Sequence, residues 1–204
     1  MPEKYDVHRL VIDNFRILEQ VPKIIEEIQA EVFAAIDLRI ENFAKIEMWD
    51  GVFHFLEDET AFKPKHWEND ENGNYLNYFS LDYIEDDNDD NYLLSPLLGA
   101  SKHKLGFKLI VSNETIASLT GQNNKLGQAK KKYLSSNPTM KHLEKVGFYL
   151  MREYIFLPVK LDATVLASSY PASISDSLLP IDEALKKISN PTPYFDSILG
   201  LSRP

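Results

Sequence analysis

The chain has 204 residues, 44% hydrophobic and 11% aromatic, with 22 Lys and Arg against 31 Asp and Glu and a net charge of −9. That apolar content supplies a core and excludes wholesale disorder, and no apolar run approaches the ~18 residues that read as a transmembrane helix. Cysteine is absent, which removes disulfides, thiolate metal sites and thiol nucleophiles. With a charged start, Met1-Pro2-Glu3-Lys4-Tyr5-Asp6, that shows no apolar signal region, this points to a reducing, cytoplasmic setting and no membrane span.

The length fits a single domain, 1–204. Its clearest element is a helix over 21–46, where Val21, Ile25, Ile28, Val32, Ile36, Ile40 and Phe43 recur every three or four residues. Pro22 suits the first turn, where its missing N–H costs nothing. At 1.5 Å per residue this helix is about 37 Å long. It is expected to lie across a sheet, and part of its stripe is a candidate homodimer contact.

Residues 49–112 read as a strand-rich, acidic and aromatic part, with strands over 52–56, 75–85 and 105–111. In the last, Leu105, Phe107, Leu109 and Val111 alternate with Lys104, Gly106, Lys108 and Ile110. A lysine-rich insertion over 121–146 holds short helices near 124–134 and after Pro138. Residues 147–188 are expected to give one long central strand over 147–161, with Arg152 and Glu153 embedded, and then helix. Pro180, Asp182, Glu183, Lys186 and Lys187 stand in the order that complements a helix dipole. Residues 189–204, with Pro191, Pro193 and Pro204, read as an extended tail. The fold class is α+β: an antiparallel sheet of about four to six strands covered by a long N-terminal helix and C-terminal helices.

Charge is strongly polarised. Residues 57–92 hold twelve acidic residues against Lys63 and Lys65, a balance of −10, whereas 102–145 holds nine lysines against Glu114 and Glu144, a balance of +7. Such segregation bears on partners rather than on fold.

Motifs with a mechanism are weak. Gly121 to Gly127 lacks the Lys-Ser/Thr of a phosphate loop. Asp86, Asn88 and Asp90 have the first spacing of a calcium loop, but Asn91 replaces its glycine and Leu97 its glutamate. His54, Glu57, Asp58 and His66 do not share one strand face, so they make a poor ligand set, and His54 between phenylalanines is expected to be half-buried and hydrogen-bonded. Asp82 followed by Lys108 resembles the spacing of a magnesium nuclease core, with Gly106 where a second carboxylate belongs. The lysine block contains no arginine, and the chain as a whole is acidic, which argues against direct nucleic-acid binding. No cofactor is implied.

The leading expectation is therefore a non-enzymatic acidic binding protein, an inhibitor or immunity-type protein. It would occlude a basic partner such as a nuclease toxin or nucleic-acid-binding machinery, with carboxylates standing in for phosphates. The candidate partner-binding residues are Asp82, Glu85, Asp86, Asp87, Asp89 and Asp90 with Trp67, Tyr75 and Tyr78, beside Phe79 and Tyr83. The alternatives are a magnesium-dependent nuclease or hydrolase with a degenerate carboxylate site in the 82–90 region and Lys108 as a helper, and an assembly subunit using the 21–46 helix.

Overall fold

The computed structural model describes residues 4–84 and 93–201. Helices α1 (Lys4–Asp13) and α2 (Phe15–Leu18) lead into α3 (Val21–Glu47). The apolar spacing sets what α3 buries: Val32, Phe33, Ile36, Ile40 and Ala44 form its inner stripe, while the half of the helix before Val32 is more open. Met48 ends the helix in the left-handed region at φ 56°, its N–H returning to the carbonyls of Ala44 and Lys45.

Six antiparallel strands follow: β1 (Trp49–Phe53), β2 (Thr60–Pro64), β3 (Asn77–Ile84), β4 (Lys104–Val111), β5 (Tyr149–Met151) and β6 (Tyr154–Pro158). Their order across the sheet is β1-β2-β3-β4-β6-β5. Between β3 and β4 lies α4 (Leu94–Leu98). Between β4 and β5 come α5 (Asn113–Thr120), α6 (Leu126–Ser136) and α7 (Met140–Lys145). After β6 the chain forms α8 (Ala163–Ser169), a 3-10 turn (Ile174–Leu178), α9 (Leu179–Ser189) and α10 (Thr192–Ile198). The α+β class, the antiparallel sheet, the long N-terminal helix and the C-terminal helices are as the sequence predicts.

The pleat sends alternate residues to opposite faces. Register places Phe62 opposite Phe79, Phe79 opposite Leu109, Leu81 opposite Phe107, and Phe107 opposite Leu157, all on the core face. Helix α3 closes this face over β1 and β2, where Phe43 meets Trp49 and Phe62 edge-on at 5.5 and 6.2 Å. Helix α10 closes it further along, with Phe195 edge-on to Phe79 at 5.0 Å and to Phe148 at 5.3 Å.

Several expectations are corrected. The expected extended tail over 189–204 is corrected for its described part, 189–201: Pro193 sits in the first turn of α10, and Phe195, Ile198 and Leu199 are buried at helical spacing. The single strand over 147–161 is a hairpin, β5 and β6, which turns at Arg152 with φ 54°. It lies at the sheet edge rather than the centre. The first strand is displaced toward Trp49, and His54 lies beyond it, exposed rather than half-buried. Strand β2 has no counterpart in the sequence reading, because it is buried throughout and carries Lys63 and Pro64 instead of an alternating pattern.

Candidate functional site: the polar face of the sheet

The second face of the sheet carries the chemistry. It presents Asp50 and Val52 from β1, Ala61 and Lys63 from β2, Tyr78, Ser80 and Asp82 from β3, Lys108 and Ile110 from β4, and Tyr154 and Phe156 from β6. Asp50 pairs across the strands with Lys63, and Asp82 lies opposite Gly106.

Two turns deliver the remaining acidic and aromatic groups. The β1–β2 turn, which carries Glu57, Asp58 and Glu59, is latched to α3 by Asp37. That carboxylate accepts hydrogen bonds from the Phe55 N–H at 3.0 Å and from the Thr60 hydroxyl. Burial holds the Asp37 carboxyl above its ordinary range, against those two hydrogen bonds and the nearby His54. In the β2–β3 loop Asp70 accepts the Asn72 and Asn74 N–H groups at 2.9 and 2.7 Å, a local turn lock that precedes Tyr75. Tyr75 and Tyr78 then stand together with ring centroids 5.9 Å apart.

Each cation on this face has a defined seat. Lys63 is 1% exposed. Its ammonium donates to the Trp67 carbonyl, stands 3.9 Å from Asp50 and lies 5.2 Å from the Tyr75 ring centre. Desolvation lowers its pKa, while Asp50 opposes the shift. Lys108 donates to Asp82 and lies 4.7 Å from the Tyr154 ring centre, and Lys130, buried on α6, approaches the same ring at 4.6 Å. Burial lowers the pKa of Lys130, with Glu153 opposing and Lys108 reinforcing the shift. Asp82, Tyr83, Ile84, Lys108, Arg152 and Tyr154 line a cleft of about 310 Å3.

Carboxylates gather beside this same cleft, where the β1–β2 turn meets the part of β3 that carries Asp82. Burial pushes the Glu59 carboxyl above its ordinary range, and Asp58 and Asp82 push it the same way. Tyr78 is raised by burial, then by Glu59 and Asp82; Tyr75 is raised by burial, then by Asp50 and Glu59. Both phenols therefore keep their protons at neutral pH and remain hydrogen-bond donors. The result is a tyrosine-floored surface edged by mutually repelling carboxylates.

The structure thus brings Tyr75 and Tyr78 together and sets Asp82 further along β3 on the same face as Tyr78. Glu85, Asp86, Asp87, Asp89 and Asp90 lie outside the described residues, as do Asn88 and the rest of the calcium-like tract to Asn91. Trp67 is corrected: at 1% exposure it belongs to the core, tilted against Phe79 at 5.4 Å and donating to Asp196. Phe79 is likewise fully buried, whereas Tyr83 is exposed. Asp50, Glu59 and Lys63 are additions. A short strand over 49–53 with Asp50 and Val52 on one face was the available signal for the first of them.

The nuclease spacing is met only in part. Gly106 faces Asp82, but a Cβ there would come 2.1 Å from the Leu157 carbonyl oxygen. The neighbouring strand occupies the space a second carboxylate would need. Among the described residues, no three His, Asp or Glu converge to hold a metal ion, and His66 instead meets Asp196 at 2.9 Å. No helix among the described residues is long and apolar enough to cross a membrane. Comparison of the chain with protein-family models, with curated proteins and with solved structures finds no match in any of the three.

Proposed function

We propose that the polar sheet face is a docking surface for a basic protein partner, and that the chain acts as an inhibitor or immunity-type protein. Its carboxylates would occupy a surface that otherwise binds phosphates. One observation supports this above the others: Glu59 is half-buried, and burial first, then Asp58 and the Lys108-paired Asp82, push its carboxyl above the ordinary range. Assembling like charge beside a partly desolvated surface costs stability, and an arriving cation offsets that cost. Tyr75 and Tyr78 add rigid contact area with few rotors to freeze, the usual make-up of an interface centre. In sequence, 85–92 adds five more carboxylates and no base, which extends the steering field.

The test uses affinity capture from the native host with the wild-type chain and with a variant carrying Asp58→Asn, Glu59→Gln and Asp82→Asn. A basic protein held by the wild type, lost with the variant and released by about 300 mM salt supports the proposal. Equal retention of the same proteins by both chains overturns it. Circular dichroism of the variant separates loss of the face from loss of the fold.

A further inference from the structure

Residues 10–28 carry an apolar stripe that the body of the chain leaves open. The helical hydrogen-bond ladder runs on from α1 into α2, where the Asn14 N–H reaches Leu10 O at 3.1 Å and Leu18 reaches Asn14 O at 3.0 Å. Between α2 and α3 it tightens to Gln20 N–H on Ile17 O at 3.0 Å and is interrupted at Pro22, resuming with Ile24 on Gln20 O at 3.1 Å. Along this arm Leu10, Asn14, Ile17, Val21, Ile24 and Ile28 alternate at spacings of four and three, the seven-residue repeat of a coiled-coil seam. Asn14, Val21 and Ile28 fall on one seam position, β-branched apart from a single asparagine, and Leu10, Ile17 and Ile24 fall on the other. A sustained apolar seam of this period is the pattern of helices that pack against one another. Val11, Leu18 and Ile25 widen the stripe.

Leu10, Val11, Ile17, Leu18 and Ile24 are between 40% and 64% exposed. Together they present roughly 450 Å2 of surface, so a symmetric pair covers on the order of 900 Å2 before the half-buried and polar atoms are counted, the size of a weak, transient interface. The stripe then runs into an apolar cleft of about 510 Å3, where Ile25 and Ile28 face Leu94, Leu98, Leu166 and Ala163. From Val32 onward the inner face of α3 is buried in the core, so any contact made through this long helix is confined to its open N-terminal part.

We propose that this stripe is covered by a second copy of the chain, with the two arms packed antiparallel. Ile17 of one chain then faces Val21 of the other near the symmetry axis. Leu10 of each reaches Ile28 of its partner, at the mouth of the cleft. The flanking faces favour a protein occupant over a bilayer surface, because they carry paired charges of both signs, Arg9 with Asp13 at 3.7 Å and Lys23 with Glu27 at 3.6 Å. A helix that lies on lipid shows a lysine- and arginine-rich polar face instead.

Sedimentation velocity of the full chain, from about 1 to about 100 µM, reads the association that an interface of this size supports. The wild type is expected to pass from monomer to dimer and Ile17→Glu to stay monomeric, with an unfolding midpoint equal to the wild type's at about 1 µM, where both are monomeric, because Ile17 is 62% exposed. The absence of native cysteine makes the register testable by mild oxidation, since a disulfide forms only where Cα atoms come within about 7 Å. A chain carrying both Leu10→Cys and Ile28→Cys is expected to give a covalent dimer, and Leu10→Cys alone is not. A wild type that remains monomeric, including one that floats with anionic vesicles instead, overturns the proposal. So does an Ile17→Glu variant that dimerises like the wild type. A cross-link through Leu10→Cys alone as efficient as that of the pair overturns the antiparallel arrangement.

Discussion

The Asp196 carboxylate on α10 accepts a hydrogen bond from the Trp67 indole at 2.8 Å, across 129 residues of sequence, with both groups buried. The same oxygen meets His66 Nε2 at 2.9 Å. This contact ties the last helix to the β2–β3 loop, and that loop in turn holds Lys63 through the Trp67 carbonyl and precedes Tyr75. A core anchor at the end of the chain therefore supports the polar sheet face from behind.

Removing the anchor tests that link. Asp196→Ala leaves the Trp67 N–H buried without its acceptor, and the expected cost is about 1 to 3 kcal/mol. Asp196→Asn keeps an oxygen for the indole and is expected to cost less. In a urea-unfolding cycle with Trp67→Phe, the double variant should lose less than the sum of the single ones, because the two changes share one interaction. Strict additivity would mean that the contact contributes nothing.

What the sequence made legible follows from the range of the interactions involved. Helix α3 and strand β4 were readable because their burial patterns are local: the Val32 to Ala44 stripe keeps helical spacing, and Leu105 to Val111 alternates cleanly. Tyr78 and Asp82, four residues apart on β3, fall on one face by the same alternation. Strand β2 was hidden, since a buried Lys63 is tolerated only through the Trp67 carbonyl, the Tyr75 ring and Asp50, none of them visible as a period. The β5–β6 hairpin was hidden as well, because its turn puts Arg152, not glycine or asparagine, at positive φ. Helix α10 was masked by prolines that start it rather than break it. Trp67 was misplaced for a related reason: an aromatic in an acidic stretch resembles a surface residue until Asp196 is brought to it.

Gly106 offers a sharper steric test. Its position opposite Asp82 is closed by the Leu157 carbonyl oxygen, 2.1 Å from where a Cβ would stand, and by the backbone of Pro158. Both obstacles are backbone, so β4 and β6 must separate to admit a methyl group. Gly106→Ala is expected to destabilise the fold by about 1 to 3 kcal/mol or more, measured by chemical denaturation. A variant as stable as the wild type would show that the strands can move apart, and would reopen position 106 to a side chain.

The end of α3 predicts the opposite sign. Met48 is an exposed, non-glycine residue in the left-handed conformation, where a Cβ is unfavourable and glycine is the usual occupant. Met48→Gly is expected to stabilise by about 0.5 to 1 kcal/mol, and Met48→Ala, which keeps the Cβ, is not. Thermal unfolding of the pair separates backbone strain from any role of the thioether side chain. Equal midpoints for the two variants would remove the strain argument.

The carboxylate cluster makes a pH-dependent prediction whose direction is fixed by the shift at Glu59. Burial, then Asp58 and Asp82, raise its folded pKa above the ordinary glutamate value of 4.5. Between the ordinary value and the folded one, the folded chain binds more protons than the unfolded chain, so stability falls as pH rises through that window. Above it the charged carboxylate costs stability, and below it both states are protonated and the cost disappears. Glu59→Gln should therefore unfold at a higher temperature than the wild type near pH 7.5, with the difference closing at about pH 3. Because Glu59 is partly open to solvent, the gain is expected to be small and to shrink as salt screens Asp58 and Asp82. Wild-type and variant melting curves recorded across pH at low and high salt carry the test. A difference independent of pH would assign the effect to packing, and a less stable variant at neutral pH would mean that the Glu59 carboxylate is held by favourable contacts rather than strained by its neighbours.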